Sequence, residues 1–134
     1  MAVNYPTIAA LFFTVALLAM VGLVADGSRV LAARRDAANI AEAAARAGAE
    51  ALDLYGLRDT EQVRLDPASA IARADAYLTT AGYEGTVHAT PTEVSVTVTV
   101  HRSTLLLGAV GMHSFTVTES GAASPVRGIE TAAP

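Results

Sequence analysis

From Thr7 to Ala25 the chain reads TIAALFFTVALLAMVGLVA, and residues 2–25 carry no charged side chain. Those nineteen residues, at roughly 1.5 Å rise each, reach about 28 Å, close to the roughly 30 Å hydrocarbon core of a bilayer. The pattern predicts a transmembrane anchor over residues 1–25. A removed secretory signal is the competing reading. Against it, MAVNYP lacks Lys and Arg, the apolar run exceeds the usual ~7–15 residues, and Leu23-Val24-Ala25 puts Leu where a small residue is preferred. Within the span, Ala19 and Gly22 are small enough to admit a close partner helix.

The helical period does not stop at the membrane. Val30, Ala33, Ala37, Ile40, Ala44, Ala47, Ala51 and Leu54 recur at spacings of three or four, with charged residues at most other positions. One rod over about 5–54, ended by Gly56, is expected, its segment 26–55 continuing the helix outside the bilayer. Asp26-Gly27-Ser28 either caps a new helix or lies within that rod, since an isolated Gly costs only about 1 kcal/mol. The Ala stripe is either plain solvated helix or a packing face for another rod. The residues assigned to that helix-packing face are Val30, Ala33, Ala37, Ile40, Ala44, Ala47 and Ala51.

Residues 57–65 read as a polar loop. Asp66 and Pro67 then open a short helix ASAIARADAYLTTA, which Gly82 closes. Beyond Gly82 the period changes from 3.6 to 2. TVHAT gives one strand, Pro91-Thr92 a turn, and EVSVTVTVHR a second strand with Val94, Val96, Val98 and Val100 on one face. STLLLGAVGM is a short apolar helix or loop, with Ser103 as its cap. SFTVTESGA is a third strand with Phe115 and Val117 on one side. One face packed and one wet fits an antiparallel sheet resting on helices. The fold class is therefore α+β: a long N-terminal helix, a second short helix and about three antiparallel strands. The small domain covers 56–123 and a flexible tail 124–134.

Composition narrows the function. Residues 31–52 hold eleven Ala, and beyond the span the aromatic side chains are Tyr55, Tyr77, Tyr83 and Phe115. Such a thin core suggests stability borrowed from neighbours. A net charge of −4 argues against nucleic acid. The absence of Cys excludes disulfides and thiolate metal sites. Nine Arg and no Lys points weakly to a high-GC genome. No phosphate loop, zinc-protease or nucleophile-elbow motif is present. His88, His101 and His113 lie in or beside three separate strands, where sheet-surface histidines are far commoner than a metal triad. No enzyme, cofactor, metal site or small-molecule substrate is expected.

Several motifs in order suggest a family. Asp26-Gly27-x-Arg29-x-Leu31-x-Ala33-Arg34 follows the span, then Ala37-Ala38-x-x-Ala41-Glu42-x-Ala44-Ala45-Arg46-Ala47-Gly48-Ala49. This resembles the TadE/TadG-like proteins of the tight-adherence (Flp) pilus system, with Asp26 and Gly27 as family-motif residues. Asp66-Pro67, the Val-Thr strand, Leu105-Leu106-Leu107-Gly108 and the final Thr-Val-Thr strand look like the actinobacterial branch. The resemblance implies a pilin-like, membrane-anchored minor pilin or assembly component. Its C-terminal domain would be extracytoplasmic, and its partners would be the lipid bilayer and other pilus subunits or assembly proteins. Charge alone argues the other way, because Arg29, Arg34 and Arg35 beside the span favour the cytoplasmic side. Pilins that enter a filament usually carry a Glu early in the apolar segment. Here Asn4 is the strongly polar residue before Asp26, which speaks against peptidase processing and bulk polymerisation. The alternative is a membrane-tethered binding module or adhesin outside any pilus.

Overall fold

The computed structural model describes residues 4–60 and 62–126, so the first three residues and most of the expected tail lie outside the description. Helix α1 is one uninterrupted element, Tyr5–Ala49. Neither Gly27 nor Ser28 breaks it, and Ser28 turns its hydroxyl back to the carbonyl of Val24 at 2.9 Å instead of capping a new helix. Thr14 does the same to Ala10 at 2.8 Å, so this hydroxyl inside the apolar run is satisfied by its own helix. An 18-residue window of α1 has mean hydropathy 2.7, and only 6% of it is buried. A soluble core helix of that composition would be mostly covered. α1 is a bare apolar helix near the N-terminus, long enough to cross a membrane.

The rod ends five residues earlier than its periodicity suggests, and Gly56 is not what stops it. After Ala49 the backbone leaves the helix to pair with the segment before α3. Asp53 N–H donates to Arg64 O at 2.8 Å, Asp66 N–H donates to Ala51 O at 3.0 Å, and Leu52 bridges Leu65. Gly56 sits inside a further short helix, α2, Leu54–Thr60, which runs into the loop expected over 57–65. Asp53 opens α2 by accepting from the N–H groups of Tyr55 and Gly56.

Helix α3 is Pro67–Ala81, as Pro at the first turn and Gly82 at the end dictate. Gly82 adopts φ 75°, and Tyr83 N–H reaches Leu78 O at 3.0 Å while Gly82 N–H reaches Thr79 O at 3.2 Å. This is the left-handed closure that glycine favours. Asp66 makes no side-chain cap to the helix backbone; its carboxylate takes the Ser69 hydroxyl at 2.5 Å.

The sheet is antiparallel and runs β1-β2-β3, with β1 Glu84–Ala89, β2 Val94–Ser103 and β3 Ser114–Ala123. β1 and β2 pair from Glu84↔Thr99 to Ala89↔Val94, and Val94, Val96, Val98 and Val100 are all buried. The STLLLGAVGM segment is a loop containing one 3-10 turn, Leu107–Val110, which Ser103 does not cap. The chain forms two compact units: residues up to Ala33 with His101–Thr116, and Arg34–Val100 with the residues from Val117 onward.

In the second unit the Ala stripe is already used. Ala37, Ala41, Ala44 and Ala45 are fully buried, and Ala51 is nearly so. Gly121 of β3 lies against the α1 backbone at Ala41 and Glu42, and Gly48 of α1 lies against Ala70, Ala74 and Val94. Of the residues assigned to a packing face, Ala33, Ala37, Ala44 and Ala51 are buried and Val30, Ile40 and Ala47 half-buried. In this chain the buried positions are covered by its own β3 and α3. Small side chains suit that role because they let a strand glycine and a second helix approach the α1 backbone closely.

Candidate functional site

The first unit is organised by one carboxylate. Asp26 follows the apolar run directly and is the first charged residue after it. It is 1% exposed. A charge buried that deeply requires partners, and three backbone donors supply them. Oδ1 accepts the Leu105 N–H at 2.8 Å; Oδ2 accepts those of Leu106 at 3.0 Å and Leu107 at 2.9 Å. Charge-assisted bonds of this type are roughly twice as strong as neutral ones. The Leu105 and Leu107 N–H groups, foremost, hold the Asp26 carboxyl below its usual 3.8, outweighing desolvation, with Leu106 and Arg29 adding to the effect. The group is ionised at neutral pH.

The segment that Asp26 holds is closed on itself. Thr104 N–H donates to His113 O at 3.1 Å, Met112 N–H to Leu107 O at 2.9 Å, and Ala109 N–H to Leu106 O at 3.0 Å. The Thr104 hydroxyl also donates to Met112 O. Gly111, at φ 94°, lets the chain turn back. Gly22 supplies the floor. A Cβ built there would meet the Leu106 side chain, with its Cβ and Cγ at 3.0 Å and its Cδ1 closer still, so a larger residue at 22 would make Leu106 shift from its seat on the helix. In this chain the small Gly22 receives a loop of the same chain. Of the adjacent pair, Asp26 holds the loop by three hydrogen bonds, while nothing lies within 4 Å of a Cβ at Gly27 and no contact explains it.

His101 Nδ1 sits 2.8 Å from the Thr116 hydroxyl. His88 is exposed on β1, opposite Ser95. Among the described residues no group of three or more His, Asp or Glu side chains is placed to hold a metal ion. The ion pairs Arg46–Glu42 (2.9 Å) and Arg34–Glu119 (4.0 Å) are solvent-exposed in at least one partner, and such pairs contribute little. Sequence reasoning found Asp26 and the Leu105–Gly108 patch separately but did not join them. The available signal was a carboxylate at the rim of an apolar run, which needs donors, and an apolar loop rich in unpaired N–H groups, which needs an acceptor.

Residues 7–51 match the family described as "Putative Flp pilus-assembly TadE/G-like". The matched stretch lies almost wholly in α1 and supports the TadE/TadG-like resemblance of the motifs around Asp26 and Ala41–Ala49. No curated protein and no solved structure matches the chain.

Proposed function

We propose, starting from a chain whose residues 7–51 are TadE/G-like, that it is a minor pilin-like or assembly component of a Flp-type pilus apparatus. It is held in the cytoplasmic membrane by a single span, with the domain after residue 26 outside the cytoplasm. It works by contact with other pilus proteins and without catalysis or cofactor. The observation that carries this reading is the pairing of the family match with a bare apolar helix that leads directly into a folded α+β domain. We also place it in the actinobacterial-type branch, on Asp66-Pro67, the Leu105–Gly108 patch and the closing Thr-Val-Thr strand.

A strain lacking the chain is expected to lose most surface pili, as counted by electron microscopy, and to regain them with the wild-type copy. The variant with His88, His101 and His113 all changed to Gln should restore pili equally well. Undiminished piliation in the null strain would remove the pilus role. Failure of the histidine variant to restore pili, while still inserted in the membrane, would remove the purely structural one.

A further inference from the structure

We propose that the loop Leu105–Met112 is a second membrane-inserted element, immersed in the lipid leaflet beside the anchor helix; this rests on the membrane-anchor reading. The loop carries no charged side chain, yet Leu105, Leu106, Val110 and Met112 are between 49% and 76% exposed. In water such a cluster would be a liability. Its position explains it. Leu106, Leu107 and Val110 line one cleft of about 500 Å³ with Val15, Leu18 and Leu23 of the span; Asp26, whose carboxylate is taken up by the loop N–H groups, lines it too. Val15 lies eight residues before Leu23, about 12 Å deeper along the helix axis. If those span residues are in hydrocarbon, the side chains sharing their cleft are there too.

Non-helical backbone at membrane depth is tolerated only when its polar groups are satisfied by protein. Much of that condition is met by the chain itself. Asp26 takes three consecutive N–H groups, Ala109, Gly111 and Met112 donate to carbonyls within the loop, and Thr104 ties both ends. Within the chain around the loop, polar and charged residues return at its base, in Arg102, Ser103, Thr104, His113 and Ser114. The occupant of the cleft is lipid acyl chain, because the cleft walls continue the exposed apolar flank of α1 at Leu11, Phe12 and Leu17.

The test uses full-length protein in phosphatidylcholine vesicles containing a doxyl-labelled lipid as quencher. The chain has no Cys, so an environment-sensitive fluorophore goes on single cysteines at Val110→Cys, Met112→Cys, Phe12→Cys as span control and Thr92→Cys as aqueous control. The Val110 and Met112 probes are expected to be blue-shifted and quenched as strongly as the Phe12 probe, with the Thr92 probe unquenched. If Phe12 is quenched while Val110 and Met112 behave like Thr92, the loop is outside the bilayer and the anchor stands. If Phe12 also escapes quenching, the anchor reading fails and the loop proposal with it.

Discussion

In Asp26→Ala, the amide protons of Leu105, Leu106 and Leu107 are expected to exchange at least about tenfold faster than in the wild type, because three donors lose one charged acceptor together. Hydrogen exchange on the full chain in detergent or nanodiscs reads this directly. Asp26→Asn should fall between, since its amide offers one accepting oxygen and places donors where the second stood. Folding lowers the carboxyl's proton affinity, so its contribution is complete above the ordinary value of 3.8 and fades as pH falls through the lower folded value. Between pH 5 and 8 the loop should therefore show no pH-dependent loosening from this group. Unchanged exchange in Asp26→Ala would mean that the apolar contact of Leu106 on Gly22 holds the loop alone.

The second large effect concerns the other unit. A Cβ at Gly121 would lie 2.5 Å from Glu42 N, 2.7 Å from its Cα and 2.8 Å from Ala41 C. These are backbone atoms of α1 and cannot swing aside. Gly121→Val should destabilise the domain by at least about 1–3 kcal/mol, as overpacking does, and Ala44→Leu on the same buried helix should act alike. Denaturant midpoints of both variants would fall, with Gly27→Ala as a control. Nothing lies within 4 Å of Gly27, and removing a helical glycine should be neutral or stabilising by about 0.5–1 kcal/mol. An unchanged midpoint in Ala44→Leu, together with loss of self-association, would return the stripe to an external partner.

What was legible in the sequence was what local chemistry determines. The alternation of Val94 to Val100 gave a strand with one buried face, and Pro67 with Gly82 bounded α3, because pleat, fixed φ and left-handed φ are properties of single residues and their neighbours. The end of α1 was not local. Its periodicity runs on past Ala49, but the pairing of Ala51 and Asp53 with Asp66 and Arg64 competes with the helix and prevails. The destination of the Ala stripe was equally hidden, since a row of methyl groups fits a neighbouring chain as well as a strand glycine of its own. Least legible was the site itself: Asp26 and its donors stand 79 to 81 residues apart, and no spacing rule links them.

The central claim is that this chain works by holding other pilus proteins, and in-cell photo-crosslinking tests it most directly. A photoreactive residue would replace Tyr55, Tyr77 or Thr92, all exposed on the folded domain. Adducts purified from piliated cells and identified by mass spectrometry are expected to contain another pilus subunit or assembly protein from at least one of the three positions. If no position yields a pilus protein while the cells still make pili and the probe-bearing chain is in the membrane, the claim is contradicted.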